Sequence, residues 1–258
     1  MSFLRTAAFV GRSEVTVYSI AVTQKTPTLT VITVVRNAAH EIEHTFRSIK
    51  ALKTGEVEYI VLDGLSDDGT VALIQKYEPY IDYWRSASDK GLYDAMNQAI
   101  KLAHGRYVVH INAGDQLLCL PSALFGGADM AELYCACVAT EDGMKCPEWN
   151  KSIYMHNTIP HQGCFYRREL LLAHPYDLRY RVFADYDLNL KLYEEGVRAV
   201  VSREVVAYHS VRGLSNQSRH ARELFHIVRQ HRGRRAELQS WLYFKLQGFR
   251  ARWNRCRS

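Results

Sequence analysis

Long uncharged apolar runs are missing from these 258 residues, although 47% of them are hydrophobic. Because a transmembrane helix needs about 20 consecutive apolar residues, no membrane span is predicted. Arg5 and Arg12 enclose an apolar patch at residues 6–11 that is too brief for the hydrophobic core of a signal peptide. The expected location is therefore the cytoplasm, including the inner face of the cell membrane for a peripheral protein.

Paired CxxC spacing is also missing from the six cysteines. In a chain without a secretory signal, free thiols are expected rather than disulfides. Cys135, Cys137 and Cys146 are an alternative zinc-binding set, although structural zinc sites usually have a tighter two-pair spacing. The sequence thus favours reduced cysteines.

The familiar phosphate-binding loops are absent as well. No GxGxxG follows the first strand-like run, where Arg36, Asn37, Ala38 and Ala39 stand, and no GxxxxGK[ST] occurs anywhere. Dinucleotide-dependent oxidoreductases and P-loop NTPases are therefore disfavoured. A nucleotidyltransferase would normally show a glycine-rich basic loop at the same place, so that enzyme class is disfavoured too.

Positive charge is concentrated near the C-terminus. Residues 219–258 contain eleven Lys/Arg and two Glu, a net charge of +9, whereas the whole chain carries +6, so residues 1–218 carry a net −3. We expect an N-terminal extension at 1–27, with an edge-strand candidate at 15–22, then one α/β domain at 28–218 and a basic amphipathic helical tail at 219–258.

Strand-like and helix-like patterns alternate through the first half of the chain. Residues 28–35, 57–62, 81–84 and 107–111 are rich in β-branched or aromatic residues, and a helical period follows each of the first three. Gly105 is placed to cap the third helix. This alternation predicts an α/β fold, with right-handed βαβ units in a Rossmann-like, mostly parallel sheet flanked by helices.

The pattern weakens between residues 121 and 154, which we predict as a mixed region. Regularity returns with a predicted strand at 161–166 and a predicted helix at 185–195, which Gly196 should end.

Acidic residues recur where the predicted strands end, with Asp63 after the second and Asp115 after the fourth. Ligands of open parallel sheets bind beyond the carboxyl ends of the strands. Carboxylates in that position suit a metal-bound diphosphate, so the sequence predicts a nucleotide-sugar-dependent transferase.

Four segments resemble, in order, motifs of the family 2 glycosyltransferases of the GT-A fold: residues 30–37, 63–70, 89–97 and 112–115. The similarity extends over about residues 28–215 and is closest to the colanic-acid and exopolysaccharide branch. It implies a GT-A sheet, a nucleoside-diphosphate-sugar donor, and inverting transfer to a lipid-linked saccharide or other growing glycan in cell-surface polysaccharide biosynthesis.

The resemblance assigns the donor side of the site to residues near the strand ends. The expected nucleotide-sugar-binding residues are Val34, Asn37, Asp63, Ser66, Asp89 and Asn112. Asp63 and Ser66 have an alternative role in organising their turn, and Asp89 has one as a helix N-cap. Many members of the family have a second acid where this chain has Gly64. This chain also has Asn112 in place of one acid of the usual DxD-like signature.

The resemblance also implies a divalent metal cofactor, Mg²⁺ or Mn²⁺. Asp115 is the candidate ligand, and His209 is a second one. A hard divalent ion can combine one or two carboxylates with waters and substrate phosphate, so a single Asp suffices. The metal would neutralise the developing charge of the nucleoside diphosphate as a Lewis acid.

Asp185 matches the acid motif of the family's second half and is the candidate general base for the acceptor hydroxyl. Asp187 lies about 200° further round an ideal helix, so the two carboxylates are not expected in one site. The resemblance assigns His161, Gln162 and Ser215 to the acceptor or diphosphate side.

The tail interleaves its basic residues with the aromatic residues Trp241, Tyr243, Phe244, Phe249 and Trp253. A basic amphipathic helix suits an anionic membrane surface, where a lipid-linked acceptor would lie. Packing of the aromatic rings on the main domain is the alternative, and nucleic acid is a less favoured partner.

Because acids are missing at Gly64 and Asn112, the competing function is a degenerate domain that binds nucleotide-sugar or membrane without turnover.

Overall fold

The computed structural model of the protein describes residues 26–126, 131–210 and 221–255, with side chains up to residue 246. The edge-strand candidate at 15–22 and the predicted site residue Ser215 lie outside the described residues.

Four parallel strands form the first half of the sheet: β1 (Leu29–Val35), β2 (Val57–Asp63), β3 (Tyr83–Ser86) and β4 (Tyr107–His110). Their order is β3-β2-β1-β4, so β1 pairs on both sides. Every residue of β1 is buried, which explains its unbroken run of apolar and threonine residues. The predicted βαβ alternation is confirmed, and each predicted strand lies within two residues of the observed one.

The second half of the sheet is mixed. β4 pairs antiparallel with β8 (Cys164–Arg167), and β8 pairs antiparallel with β6 (Leu133–Thr140). β6 pairs parallel with β9 (Ala199–His209), and β9 pairs antiparallel with β5 (Gln116–Leu117), which is the last strand at this edge of the sheet. β7 (Gly143–Lys145) forms an antiparallel hairpin with β6. Within the described ranges these nine strands form one sheet, so the α/β prediction is confirmed with parallel and antiparallel halves.

Strands β6 and β9 are the main departures from the predicted elements, because β6 lies in the segment of weak pattern and no strand is predicted over β9. Seven of the eight residues of β6 are buried, but it contains Cys and Ala where strands usually carry β-branched or aromatic residues. The predicted strand at 161–166 is wrong at its start, since His161–Gly163 form a 3₁₀ turn before β8 begins at Cys164.

Helices cover both faces of the sheet, and alternate residues of β1 belong to two separate buried apolar clusters. The helices of the described residues are α1 (Ile42–Leu52), α2 (Thr70–Tyr77), α3 (Leu92–Leu102), α4 (Ser122–Phe125), α5 (Arg168–Ala173), α6 (Ala184–Glu194) and α7 (Ala221–Arg255). Gly196, with a φ of 77°, follows α6 as the predicted helix stop.

Gly105 has a different role from the predicted helix cap. Ala103 is the C-cap of α3, in an extended conformation. A Cβ atom at Gly105 would overlap the backbone nitrogen of Thr30, and the Gly105 N–H donates to the Thr30 hydroxyl at 2.8 Å. The glycine therefore permits close approach of the α3–β4 turn to β1.

Cys137 and Cys146 form a disulfide, so the prediction of free thiols is wrong for this pair. The hairpin of β6 and β7 pairs Val138 with Lys145, and this return of the chain brings the two cysteines together. The alternative three-cysteine zinc set loses two members to the disulfide. Cys119, Cys135 and Cys164 are free.

The basic tail forms helix α7, which Gly233 divides into two segments through its non-helical backbone (φ 79°, ψ 179°). Leu224, Ile227 and Val228 of the first segment are buried in the same apolar cluster as residues of α6. Among the residues that the structure describes, no helix combines the length and the apolar character that crossing a membrane requires.

Candidate active site

A cleft of about 880 Å³ opens at the carboxyl ends of β1 and β4. Ligands of open α/β sheets bind at this edge. The structure brings nine of the predicted site residues together there. They are Val34, Asn37, Asp89, Asn112, Asp115, His161, Gln162, Asp185 and His209.

Asp63 and Ser66 do not line this cleft. Asp63 is buried at the end of β2, where its Oδ2 atom accepts hydrogen bonds from the Ser66 N–H at 3.0 Å and the Ser86 hydroxyl at 2.6 Å. The Ser66 hydroxyl in turn accepts the N–H of Asn37 at 2.8 Å. These bonds fix the loops beside the cleft, as the alternative role requires, and a direct contact with the donor stays a prediction.

Asp89 lies against Gly64. Gly64 is the position at which many family 2 glycosyltransferases, which this sequence resembles, have an acid. A Cβ atom on Gly64 would come within 2.8 Å of Asp89 Oδ2, so the carboxylate of Asp89 fills this space. The alternative role of Asp89 as an N-cap is wrong, because Gly91 is the N-cap of α3. Asp89 instead accepts the Gly91 N–H at 2.8 Å and fixes the turn before the helix.

Asp115 is buried at the edge of the cleft and contacts two other predicted site residues. Its Oδ1 atom lies 2.8 Å from His209 Nδ1 and accepts the Ser210 N–H at 3.1 Å, while Oδ2 accepts Gln162 Nε2 at 2.8 Å. Asp115 and His209 are distant in sequence, and the end of β9 beside β5 brings them together.

Asp115 and His209 offer a carboxylate and an imidazole to a divalent ion. Because Asp115 occupies Nδ1 of the ring, Nε2 is the nitrogen available to a ligand. Within the described parts of the chain, no group of three or more His, Cys, Asp or Glu could hold a metal. The metal-ligand roles of Asp115 and His209 stay a prediction, in which waters and diphosphate oxygens would complete the coordination.

Asp185 lies in the first turn of α6, where its carboxylate is buried and contacts two polar side chains. The Tyr93 hydroxyl lies 2.9 Å from Asp185 Oδ1, and Asn157 Nδ2 lies 3.4 Å from Oδ2. Phe183 is the N-cap of α6, so the alternative role of Asp185 as the cap is wrong. Burial, and then the charge of Asp185, raise the pKa of Tyr93 well above its usual value, so Tyr93 remains a hydrogen-bond donor.

His161 is a buried imidazole at the edge of the same site, with Nδ1 3.9 Å from Asp185 Oδ2. Its ring stacks on that of His110 at 5.2 Å between centroids. Burial lowers the pKa of both rings, and for His161 it outweighs the charges of Asp185 and Asp115. Neither ring nitrogen of His161 has a hydrogen-bond partner among the described residues. The neutral ring can therefore donate one hydrogen bond to a ligand and accept one from it.

Asp187 lies on the other side of α6, as the helical geometry predicts, and contacts α7. Its Oδ1 atom lies 2.9 Å from His231 Nε2, and Oδ2 lies 2.6 Å from Lys191 Nζ. His231 Nδ1 lies 2.9 Å from Glu194 Oε2. Burial opposes protonation of His231, but the hydrogen bonds to Asp187 and Glu194 outweigh it and raise the pKa of the ring. The ion pairs therefore connect the tail helix to the helix of Asp185.

Replacing His231 with Gln should lower the free energy of unfolding by about 2 kcal/mol at pH 6. Because the pKa of His231 is raised on folding, its contribution is complete below the unfolded value of about 6.5 and disappears as pH rises through the folded value. Urea unfolding at pH 6 and pH 9 should therefore show a difference from wild type that narrows at pH 9. His226→Gln, on the exposed side of α7, is the control, and an equal difference at both pH values would contradict an ionic contact.

Glu223 of α7 fixes the segment that precedes Asp185. Its Oε1 atom accepts the N–H groups of Val182 at 2.9 Å and Phe183 at 2.7 Å, and Oε2 accepts that of Arg181 at 3.0 Å. Three consecutive backbone donors at the start of α6 thus share one carboxylate. This contact has no signal in the sequence, because Glu223 is one of only two acids in a tail of mostly basic charge.

Replacing Glu223 with Gln should loosen the segment that precedes Asp185. The amide nitrogen cannot accept a hydrogen bond, so the segment before Asp185 loses part of its anchoring, at about 1.5–3 kcal/mol for a charged acceptor. Hydrogen exchange at residues 181–183 should become faster. Glu237→Gln is the matched control, since Glu237 forms an ion pair with Arg229 at 3.9 Å. Unchanged exchange at 181–183 would contradict the role of Glu223.

Five further charged or polar residues line the cleft without having been singled out from the sequence: Arg36, Glu41, Lys90, Tyr93 and Ser210. Arg36 and Lys90 lie within the segments that carry the family resemblance, and that was the available signal. Tyr93 also lies within such a segment, but as a buried residue of α3 it resembles an ordinary core residue.

A second cavity of about 590 Å³ adjoins the cleft. The two share five residues, namely His161, Gln162, Val182, Asp185 and His209. The other walls of this second cavity come from residues 138–160 and from α7. Asp185 is therefore accessible from two separate binding spaces.

The family model described as Glycosyl transferase family 2 matches residues 30–118. The PGL/p-HBAD biosynthesis glycosyltransferase of Mycobacterium bovis (strain BCG / Pasteur 1173P2) is 30% identical over 207 residues, which cover 74% of this chain and 80% of the relative. The chain therefore belongs to the family 2 glycosyltransferases.

Solved structures share the fold at low sequence identity. S. aureus TarS in complex with UDP-GlcNAc has a TM-score of 0.65 and 17% identity, covering 79% of this chain and 65% of that one. Glucosyl-3-phosphoglycerate synthase from Mycobacterium tuberculosis, in complex with Mn²⁺, UDP and glucosyl-3-phosphoglycerate, has a TM-score of 0.57 and 18% identity, covering 80% of both chains. The predicted GT-A fold is confirmed, whereas the colanic-acid branch stays a prediction.

Proposed function

We propose that the protein is an inverting, metal-dependent glycosyltransferase that moves a sugar from a nucleoside diphosphate to a lipid-linked or growing glycan of an exopolysaccharide or other cell-surface polysaccharide. The observation that carries this proposal is one cleft lined by both Asp115 and Asp185. The names of the relatives add support, since one acts in PGL/p-HBAD biosynthesis and TarS was solved with UDP-GlcNAc.

Asp185 is the general base of this reaction. The acceptor oxygen forms a bond to the anomeric carbon, the bond from that carbon to the diphosphate oxygen breaks, and the hydroxyl proton passes to Asp185. Tyr93 and Asn157 hold the carboxylate in place. His161 has a free donor and a free acceptor beside it, which suits a second hydroxyl of the acceptor or an oxygen of the diphosphate.

Asp115 and His209 would hold Mg²⁺ or Mn²⁺ together with the diphosphate. The ion supplies Lewis-acid stabilisation of the leaving nucleoside diphosphate when it is bound. Gln162 donates to Asp115 and so orients the carboxylate. Arg36 and Lys90 line the same cleft and add positive charge for the phosphates.

Calorimetric titration with UDP, GDP and dTDP, each with Mn²⁺, Mg²⁺ or EDTA, tests the donor site. We expect binding of one nucleotide that depends on the metal, which also identifies the donor class. Absence of binding by all three would contradict the proposal and favour a degenerate domain that does not turn over. If EDTA leaves nucleotide binding unchanged, the result would contradict the proposed metal dependence but not the donor site itself.

The second segment of α7 would bind an anionic membrane surface at the inner face of the cytoplasmic membrane. The large apolar side chains Leu238, Trp241, Leu242 and Leu246 are exposed and recur at helical spacing. Lys245 Nζ lies over the Trp241 ring at 4.0 Å, and Arg234 and Arg235 are exposed nearby. Basic side chains beside exposed apolar ones are the chemistry that binds anionic headgroups.

Replacing Trp241 and Leu242 together with Glu should reduce binding to phosphatidylglycerol vesicles at least tenfold. The change removes two apolar contacts with the bilayer and adds two negative charges opposite anionic lipid. Vesicle co-sedimentation measures the loss, and nucleotide binding should stay the same. Equal sedimentation of the variant and the wild-type protein would contradict membrane binding by this face.

A further inference from the structure

The second cavity changes in character from Asp185 to the tail helix. Near Asp185 it offers hydrogen-bonding groups, including Asn157, His161 and Gln162. The part that α7 lines is apolar and aromatic, with the side chains of Leu224, Tyr243 and Phe244. The cavity is therefore amphipathic, with the proposed base at its polar end.

The aromatic end is held in place by ring contacts. Tyr243 stacks on His156 with centroids 4.6 Å apart and an interplanar angle of 5°. Phe244 makes edge contacts with Phe225 at 5.8 Å and with Tyr243 at 5.5 Å. Side chains fixed in this way form a preorganised apolar surface, which costs a ligand little ordering when it binds.

A free sugar does not match this surface. Its hydroxyls find partners near Asp185, but the aromatic end would remain in contact with water. Each buried CH₂ group contributes about 0.8 kcal/mol, so an apolar group attached to the sugar gains affinity there. Binding pockets generally combine an apolar lining with a few placed polar groups, as this one does.

We propose that the second cavity is the acceptor site and that it takes an amphipathic glycoside. A sugar hydroxyl reaches Asp185, and an apolar aglycone lies against Tyr243 and Phe244. This inference rests on the proposed function, in which Asp185 takes the hydroxyl proton. Tyr243 and Phe244 then determine acceptor specificity, and the tail helix forms one wall of the site.

The position of these residues in α7 connects the cavity with the exposed apolar face. Tyr243 and Phe244 line the cavity, although 40% of Phe244 is exposed, and Trp241, Leu242 and Leu246 of the same two turns are exposed as well. The proposed acceptor site and the proposed membrane-binding surface would therefore share one helix.

The test compares methyl and octyl β-glycosides of glucose, galactose, mannose and N-acetylglucosamine, used below their micellar concentrations. Binding is measured by calorimetry on the full chain in the presence of the nucleotide that binds. We expect at least one octyl glycoside to bind the wild-type protein about tenfold more tightly than its methyl partner.

Tyr243→Ala should remove most of this octyl preference, and Tyr243→Phe should keep it because the ring remains. Trp241→Ala is the matched control, since it removes an aromatic ring of the same helix outside the cavity. Nucleotide affinity should be equal in all four proteins, and circular dichroism checks that each is folded.

No octyl preference for any of the four sugars would overturn the proposal, as would an equal loss of preference in Tyr243→Ala and Trp241→Ala. Failure of the donor proposal is a separate result, because it appears as absent nucleotide binding before any glycoside is added.

Discussion

Replacing Asp185 with Asn should lower kcat for sugar transfer by about 10²- to 10⁴-fold, the usual contribution of a positioned general base. Asn has nearly the same shape, and its Oδ1 atom can still accept the Tyr93 hydroxyl that lies 2.9 Å from the native carboxylate. The variant therefore keeps the geometry of the cleft and loses only the ability to take the acceptor proton. Initial rates at saturating donor, together with nucleotide calorimetry, separate these two properties.

Asp187→Asn is the control for this change, because Asp187 is in the same turn of α6 and contacts His231 and Lys191. It should lower stability but leave kcat within about threefold of the wild-type value. Equal kcat in Asp185→Asn and wild type would remove Asp185 as the base. A comparable loss in both variants would mean that the packing of α6, rather than proton transfer, limits the rate.

Replacing Asp115 with Asn should raise the Kd of the nucleotide in the presence of Mn²⁺ about 100-fold. The carboxylate charge is lost where the metal and diphosphate would bind, and losses of 10- to 100-fold are common even for residues one shell further from a metal. Calorimetry with Mn²⁺ and with EDTA measures the effect for both proteins.

The EDTA measurements make this experiment specific for the metal. If Asp115 is the ligand, the wild-type protein in EDTA and the variant in Mn²⁺ should bind nucleotide with similar affinity. An Asp115→Asn variant that keeps the full gain from Mn²⁺ would exclude Asp115 as a ligand. Thermal unfolding is the necessary companion, because Asp115 also accepts the Ser210 N–H and Gln162 Nε2.

The first half of the fold was predictable because three of its strands, β1, β2 and β4, are buried on both faces. Such strands carry long β-branched runs, as β1 does, and helices with a clear period separate them. Strand β6 lacked this signal since its buried positions hold Cys and Ala. The disulfide of Cys137 and Cys146 depended on the hairpin that follows β6, so missing the strand also meant missing the bond.

The candidate site was predictable where it lies in the motifs of the strand ends. Asp115 and Asp185 line one cleft, as expected. The distance between the two carboxylates could not be predicted, because they lie 70 positions apart in the sequence. Glu223 and Tyr243 were not predictable as site residues. They belong to a basic helix whose charge pattern points toward a membrane, whereas their contacts with Phe183 and His156 exist only once α7 is folded against the sheet domain.

The late position of α7 in the chain has a consequence for biosynthesis. Every other described element precedes it, so the ribosome releases α7 after the sheet and after Asp185. At about 5–20 residues per second, translating its 35 residues takes about 2 to 7 s. Until Glu223, the third residue of α7, has been made, the nascent domain lacks the carboxylate that holds the segment before α6. The complete arrangement around Asp185 therefore forms only when synthesis of the tail is finished, and a partly made chain has an incomplete site.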